Sequence, residues 1–257
     1  MQKKPKISSS VHLNENETLP INNIYYNGEK DHNVNSEKTF IFDLDGVLID
    51  SMPFHFQAWR EAFGKVDIII SKDEVYEREG QKSEIAASEI YKKHTGKEPT
   101  SDLLNLIIEA KKDIFNRIFR LKIFPGVSGL LTLLRNKNAK IGLVTGSTYL
   151  AKMFHCRKEF LDIFDVIVAG EDSENSKPAP DPYIIAVQKL NALSEKCYVI
   201  ENAPLGIKSA VAANLTCFAV KGTSPLSEET LKDAGAHFVF KDIEELKDHL
   251  VRLLLNE

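Results

Sequence analysis

Two aspartates separated by a single residue, Asp43 and Asp45, stand directly after an apolar stretch and directly before Gly46. The apolar residues 40–42 have the character of a buried strand. A carboxylate at the tip of such a strand is costly to desolvate unless a cation or a hydrogen-bond donor meets it. Asp followed by Gly is also common in turns, but two carboxylates at this spacing favour a chemical site over a purely structural turn.

Further candidate residues stand at, or in the loop after, the carboxyl ends of three later apolar stretches that predict strands. These residues are Thr145, Gly146 and Ser147, then Lys177 in a proline-rich loop, and finally Glu201 and Asn202. Ligands of open α/β sheets bind beyond the carboxyl ends of the strands, where side chains from several strands meet in one crevice. We therefore expect these groups to converge with the two aspartates.

Together these groups form a typical set for phosphoryl transfer with Mg²⁺. This ion prefers oxygen ligands, which Asp43, Glu201 and the Asn202 amide could supply. Thr145 and Lys177 could bind the phosphoryl oxygens and neutralise their charge. One aspartate could attack phosphorus and form an aspartyl-phosphate. The other could protonate the leaving oxygen and later deprotonate the attacking water.

The elements that must position these groups alternate between strands and helices. Short apolar stretches predict strands at residues 39–44, 140–146, 165–170, 197–202, 216–220 and 237–240. Amphipathic helical stretches separate most of them. Apolar strands without alternation are typical of parallel strands that are covered on both faces. The pattern predicts an α/β fold built on a doubly wound parallel sheet.

One segment breaks this alternation, because only helices are predicted between Ser51 and Lys122. We expect residues 52–121 to form an all-helical cap domain, inserted into an α/β catalytic core of residues 39–51 and 122–257. Such an insert leaves the core where the first strand ends. It could therefore close over a site at that end of the sheet.

Composition and charge limit the other functional classes. The chain has 257 residues, of which 43% are hydrophobic, and a formal net charge of −4. This charge offers no basic surplus for a nucleic-acid partner, and no apolar stretch predicts a membrane span or a signal sequence. Cys156, Cys197 and Cys217 lack metal-binding spacing and predict reduced thiols. We expect a cytoplasmic monomer or weak dimer, with residues 1–38 as a flexible extension.

Four stretches in chain order resemble the motifs of the haloacid dehalogenase superfamily: DLDGVL, LVTGS, SKPAPDPY and VIENAPLGIKSA. The resemblance covers residues 39–257, and the insert with SMPFHFQAWR is similar to the small helical cap of the β-phosphoglucomutase-like group. The resemblance implies that Asp43 is the nucleophile, whereas Asp45 is the general acid and base and gives its backbone carbonyl to the metal. Members that cleave carbon–halogen bonds need no second aspartate and no metal, so this chain resembles the phosphoryl-transfer members.

Three residues of the insert are further candidates for contact with the substrate. His55 could steady Asp45 or the substrate, or it could simply pack near Trp59. The stretch EREGQKSE lies where this group of caps places substrate-reading residues, which implies Glu79 and Lys82. Both of these could instead belong to a solvated surface.

The sequence departs from the family pattern in two places. The fourth motif ends in Glu201-Asn202 where an acid pair is usual, so one negative charge is lost from the metal site. The sugar phosphomutases of the group hold a distal phosphate with a cap arginine and an asparagine, and here Ser83 and Tyr149 occupy the aligned places. Lys82 could take the place of the arginine, but a lysine ammonium lacks the planar guanidinium that binds a phosphate through two hydrogen bonds. These departures favour hydrolysis over mutase chemistry.

We therefore expect a Mg²⁺-dependent phosphohydrolase that acts on a small phosphorylated metabolite through an aspartyl-phosphate. One alternative is a sugar phosphomutase of the β-phosphoglucomutase type. A second is an inorganic pyrophosphatase, in which Glu79 reaches the metal site over pyrophosphate. A third is a non-catalytic protein that binds phosphate or Mg²⁺.

Overall fold

The computed structural model describes residues 38–147, 153–154 and 157–255. Most of the predicted N-terminal extension, together with Tyr149 and Cys156, lies outside these described residues.

The described residues contain the strands β1 (Thr39–Asp43), β2 (Lys140–Val144), β3 (Val166–Val168), β4 (Cys197–Glu201), β5 (Thr216–Val220) and β6 (Phe238–Phe240). Neighbouring strands are parallel and form one sheet in the order β3-β2-β1-β4-β5-β6. β1 lies between β2 and β4, so the chain winds outward from the centre in both directions. This topology confirms the predicted doubly wound α/β fold and places a crevice beside β1, where the winding reverses.

The helices of the described residues are α1 (Met52–Gly64), α2 (Lys72–Tyr76), α3 (Ser83–Thr95), α4 (Ser101–Ile118), α5 (Val127–Asn136), α6 (Lys158–Leu161), α7 (Asp181–Lys189), α8 (Pro204–Ala212), α9 (Glu228–Asp233) and α10 (Ile243–Leu255). A short 3₁₀ turn, Ser194–Lys196, precedes β4. The sequence pattern does not predict α2, α6 and α9, because they are too short for a helical period to be recognised.

Both faces of the sheet are covered. Successive side chains of β1 point to opposite faces. Phe40 and Phe42 share a hydrophobic cluster with residues of α5 and α10, whereas Ile41 belongs to the cluster formed with α7 and α8. All three side chains are fully buried. This double coverage explains why the strands are apolar at successive positions instead of alternating.

The regular elements between β1 and α5 are all helices, and residues 52–121 are called the helical segment below. The buried residues of its hydrophobic cluster all belong to the segment itself, apart from Leu226. α1 packs against α4, and they contribute Trp59, Phe63, Ile107 and Phe115 to that cluster. The helical segment thus has its own packing and does not extend the layers on the sheet.

The chain enters and leaves the helical segment at two adjacent points. The backbone N–H of Asp50 donates to the Lys122 carbonyl at 2.8 Å. The Lys122 ammonium also lies 2.8 Å from Asp50 Oδ2, although an ion pair with an exposed lysine contributes little stability. The backbone hydrogen bond holds the two connections side by side, near the carboxyl end of β1.

Two further expectations concern membranes and thiols. Among the described residues, no helix combines the length and apolar character that crossing a membrane requires. Cys197 and Cys217 are buried free thiols. Burial raises the pKa of the Cys197 thiol to about 11, so it stays protonated and unreactive at neutral pH.

Candidate active site

The carboxyl ends of four neighbouring strands carry the residues of this site. Asp43 ends β1 and Glu201 ends β4, while Thr145 directly follows β2 and Lys177 lies in the loop between β3 and α7. The Lys177 ammonium lies 2.6 Å from Asp43 Oδ1 and 2.6 Å from Glu201 Oε1. All four side chains are buried. The fold thus gathers at one point residues that lie far apart in the sequence.

Asp45 is held by a separate set of contacts. Its Oδ1 accepts a hydrogen bond from Ser51 Oγ at 2.5 Å and lies 3.4 Å from His55 Nε2. Thr145 Oγ1 lies 3.5 Å from Asp45 Oδ2. Burial alone would raise the pKa of Asp45, but hydrogen bonds from His55 and Ser51 lower it below its ordinary value. Asp45 is therefore ionised at neutral pH and is already oriented by two neighbours.

Gly46 allows the turn that separates the two aspartates from the following loop. Its φ is +90°, a conformation that residues with a Cβ rarely adopt. A Cβ at this position would also lie 2.1 Å from Asn202 Nδ2. The glycine is therefore required both by the turn and by the close approach of Asn202.

Three carboxylates, those of Asp43, Glu201 and Glu79, lie around the Lys177 ammonium. Burial raises the pKa of Asp43 well above its ordinary value; Lys177 opposes the shift, and Glu201 and Asp45 add to it. Burial and the charge of Asp43 likewise raise the pKa of Glu79. Burial would lower the pKa of Lys177, but Asp43 and Glu201 raise it well above its ordinary value. The site therefore has an excess of negative charge that a further cation would stabilise.

The arrangement of oxygen atoms fits a divalent cation. Asp43 Oδ2, Glu79 Oε2 and Asn202 Oδ1 are buried and have no hydrogen-bond partner among the described residues. Carboxylate oxygens of Asp43, Glu79 and Glu201 lie within 4.8 Å of one another. A buried polar atom without a partner is destabilising, and carboxylate and amide oxygens are preferred by Mg²⁺. A bound cation would both pair these atoms and offset the crowded charge.

The loop between α2 and α3 brings the helical segment onto the strand ends. Gly80 has φ +85°, and a Cβ there would lie 2.6 Å from Lys177 Cδ. A Cβ on Gly146 would lie 3.4 Å from the Gly80 carbonyl oxygen. Only a glycine lets the backbone of this loop lie so close to Lys177. The same approach carries Glu79 to Asp43.

A cavity of about 380 Å³ lies between the helical segment and the strand ends. Ser83, which aligns with the cap arginine of the sugar phosphomutases, lines this cavity. Its lining also includes the candidates for substrate contact from the insert, His55, Glu79 and Lys82, together with Gly146 and Ser147 from the end of β2. The structure thus brings these predicted residues to one cavity, next to the buried carboxylates.

Lys82 joins the helical segment to the loop that carries Lys177. The Lys82 ammonium donates to the Glu174 carbonyl at 2.5 Å, and its backbone N–H donates to Ser176 Oγ at 3.3 Å. In this arrangement the lysine serves as a contact between two parts of the chain as well as a residue of the cavity wall.

The structure adds Lys111 to the site, a residue that none of the sequence motifs contains. Lys111 lies on α4 and lines the cavity. Its ammonium lies 5.2 Å from the ring centroids of both Trp59 and Phe115. Burial lowers the pKa of Lys111 to about 8, although the charge of Asp45 opposes the shift. A lysine at the spacing 107, 111, 115, within the apolar stripe of an amphipathic helix, was the available signal.

Ser51 and Tyr183 are also missing from the predicted site. The Ser51 hydroxyl contacts Asp45, and the Tyr183 hydroxyl donates to Glu201 Oε1 at 2.8 Å. Both side chains are fully buried. Ser51 carries a visible signal, because a serine directly before a helix is the usual N-cap. Here, however, its hydroxyl binds Asp45 and makes no capping hydrogen bond to α1.

A buried aspartate at the end of a central parallel strand, paired with a lysine next to a cavity, is suited to phosphoryl transfer. Comparison with known families agrees with that chemistry. Residues 40–220 match the model of the haloacid dehalogenase-like hydrolases. The chain belongs to this family, and the members that it resembles include phosphatases and phosphomutases.

Three similar proteins illustrate the chemistry found among its relatives. A phosphorylated carbohydrates phosphatase of Thermotoga maritima is 33% identical over 68% of this chain and 81% of its own length. The pyrophosphatase PpaX of Oceanobacillus iheyensis is 27% identical over 82% of this chain and 95% of its own. The solved structure of a β-phosphoglucomutase from Clostridium difficile is 26% identical, with a TM-score of 0.72, over 86% of this chain and 98% of that one.

Proposed function

We propose that the protein is a Mg²⁺-dependent phosphohydrolase that acts on a small phosphorylated metabolite through an aspartyl-phosphate on Asp43. The observation that carries the proposal is the environment of the Asp43 carboxylate. One of its oxygens is held by Lys177, and the other is buried without a partner among the described residues. A nucleophile needs such fixed orientation and a nearby cation that neutralises the approaching phosphoryl group.

In the first half-reaction, an Asp43 carboxylate oxygen attacks phosphorus and the bond from phosphorus to the leaving oxygen breaks. Lys177 binds the phosphoryl oxygens, and Thr145 lies at the end of β2 where its hydroxyl can join it. Asp43 and Asn202 would hold Mg²⁺, which would supply positive charge that stabilises the phosphoryl oxygens. Without such charge, the carboxylates of the site would repel an anionic substrate.

Asp45 is the proton carrier of both half-reactions. It must give a proton to the leaving oxygen, and the arrival of a phosphoryl dianion favours protonation because a like charge raises the pKa of a carboxylate. In the second half-reaction, Asp45 takes a proton from the water that attacks the aspartyl-phosphate. The bond from phosphorus to Asp43 then breaks, and orthophosphate leaves. Ser51 and His55 hold the Asp45 carboxylate during both steps.

The helical segment acts as the cap in this proposal, and residues 39–51 and 122–257 as the catalytic core. Two features support this division. The helical segment has a hydrophobic cluster of its own, and its connections to the rest of the chain lie side by side at Asp50 and Lys122. The cavity beneath it is large enough for a small metabolite, and Lys111 provides a cation for an anionic part of that metabolite.

Trapping of the phosphorylated enzyme tests the proposal. The wild-type protein with Mg²⁺ should hydrolyse p-nitrophenyl phosphate, and rapid acid quenching should capture a phosphoryl group on Asp43, located by mass spectrometry of the proteolysed chain. Asp43→Asn should remove both signals and keep the fold. Turnover by that variant at a near wild-type rate would contradict the assignment of the nucleophile. Absence of turnover in the wild type would favour a phosphate-binding protein.

An inorganic pyrophosphatase is the second candidate, and the position of Glu79 favours it. Its carboxylate oxygen lies within 4.8 Å of those of Asp43 and Glu201, and Gly80 lies against the Lys177 side chain. A cap this close to the strand ends suits a substrate that is scarcely larger than the transferred phosphoryl group. A mutase is less well supported, because Ser83 cannot hold a distal phosphate as an arginine fork does.

A further inference from the structure

The Glu201 carboxylate is saturated by hydrogen bonds from the protein. Its Oε1 accepts from the Lys177 ammonium at 2.6 Å and from the Tyr183 hydroxyl at 2.8 Å. Its Oε2 accepts from the backbone N–H groups of Asn202 at 2.9 Å and Ala203 at 3.2 Å. A carboxylate offers about four lone-pair directions, so these four donors occupy all of them.

The surroundings of Glu201 also prevent it from turning toward a new partner. A Cβ on Gly206 would lie 1.7 Å from Glu201 Oε1, which shows how closely the first turn of α8 surrounds the carboxylate. Asn202 Oδ1, in contrast, is buried and has no partner among the described residues. Of these two adjacent residues, therefore, only Asn202 has an oxygen that is ready to bind a cation.

Tyr183 contacts both members of the Lys177–Glu201 pair. Its side chain is fully buried on α7. The hydroxyl donates to Glu201, and the ring centroid lies 5.3 Å from the Lys177 ammonium, which is within the range of a cation–π interaction. A buried hydroxyl needs an acceptor, and here that acceptor is the carboxylate that orients the lysine.

We propose that Tyr183 is a positioning residue, which together with Glu201 fixes the Lys177 ammonium for binding of the phosphoryl group, and that Glu201 is not a ligand of the metal. This inference rests on the proposed function. Without the Tyr183 hydroxyl, Lys177 is the one remaining hydrogen-bond donor to Glu201 Oε1 among the described residues. The ammonium is then drawn toward Glu201 and away from Asp43, so the phosphoryl oxygens lose part of their cation.

Tyr183→Phe tests this role, because it removes the hydroxyl and keeps the ring. We expect the affinity for orthophosphate in Mg²⁺, measured by isothermal titration calorimetry, to fall about tenfold, as for the loss of one hydrogen bond to a charged group. The affinity for Mg²⁺ alone should stay within about twofold. Tyr183→Leu, which also removes the ring, should weaken phosphate binding further. Tyr91→Phe, on α3 and outside the cavity lining, is the matched control.

Two results would overturn the inference. One is unchanged orthophosphate affinity in Tyr183→Phe. The other is a loss of Mg²⁺ affinity as large as the loss of phosphate affinity, which is expected if Glu201 binds the ion. Should Tyr183→Phe not fold, the affinities for orthophosphate and for Mg²⁺ are measured for Glu201→Gln. The same two results would then overturn the inference. Both affinities are measured without turnover, so a wild-type protein that binds phosphate but hydrolyses no ester would refute the proposed function and leave this test intact.

Discussion

The carboxylates of Glu79 and Asp43, which belong to the helical segment and to the central strand respectively, have oxygen atoms within 4.8 Å of each other. Burial raises the pKa of both carboxyl groups, and the charge of Asp43 raises that of Glu79 further. Two carboxylates at this distance repel each other in the absence of a cation and are drawn together by one. The contact therefore links cation binding to the position of the helical segment.

Glu79→Gln should change stability in opposite directions with and without Mg²⁺. In chelator, the variant should unfold at a higher temperature than the wild type, because one repelling charge is gone. With Mg²⁺, the wild type should gain more stability than the variant, by about 1–3 kcal/mol at saturating ion. Thermal unfolding measured by circular dichroism gives both values. Glu77→Gln, at the exposed position just after α2, is the control and should show neither effect.

An equal gain from Mg²⁺ in wild type and Glu79→Gln would show that Glu79 does not contact the ion. A lower unfolding temperature of the variant in chelator would show that its carboxylate is favourably bonded without metal.

Lys111→Met should weaken substrate binding and leave the chemical step largely intact. Its ammonium lines the cavity from α4 of the helical segment and has no assigned part in the bond-making steps. We expect KM for an anionic substrate to rise about tenfold, as for one lost hydrogen bond to a charged group, with a much smaller change in kcat. Because the pKa of Lys111 is about 8, its charge is lost as pH rises through that value. KM of the wild type should therefore rise above about pH 8.

Lys111→Arg separates this effect from other titrations. Arginine keeps its charge across this range, so the rise of KM above about pH 8 should disappear in the variant. Lys97→Met, in an exposed turn after α3, is the control for loss of one positive charge. A pH profile of KM that is identical in wild type and Lys111→Arg would assign the titration to another group.

The chemistry at the strand ends could be predicted because the strands themselves are recognisable. Asp43, Thr145 and Glu201 each stand where an apolar stretch ends, and parallel strands bring their carboxyl ends together. Lys111 could not be placed in this way, since a lysine on a helix is usually solvated. Its place in the apolar stripe of α4 indicates burial, but its position in the cavity depends on how α4 packs against α1. The hydrogen bond from Lys82 to the Glu174 carbonyl likewise depends on the position of the whole helical segment.

Two helical glycines should respond differently to alanine. Gly206→Ala would place a methyl group 1.7 Å from Glu201 Oε1, so that backbone or carboxylate must move. We expect a loss of about 1–3 kcal/mol in the free energy of unfolding, as for overpacked cores, together with weaker phosphate binding. A Cβ on Gly64, at the end of α1, would meet no atom within 4 Å among the described residues. Gly64→Ala should be neutral or stabilising by up to about 1 kcal/mol. Urea denaturation measures both.

The choice of substrate gives the sharpest test of the helical segment. If Glu79 helps to hold the cation over a very small substrate, pyrophosphate should be hydrolysed with a higher kcat/KM than p-nitrophenyl phosphate or β-glucose 1-phosphate. Glu79→Ala should then reduce pyrophosphate hydrolysis about 100-fold, a loss that is common when a residue around a metal site is substituted. The same substitution should affect hydrolysis of p-nitrophenyl phosphate much less. Released orthophosphate is measured in each case, and glucose 6-phosphate is measured as the product of a mutase. Equal losses on both substrates would mean that Glu79 serves every phosphoryl transfer at this site. Efficient formation of glucose 6-phosphate would contradict the hydrolase proposal in favour of a mutase.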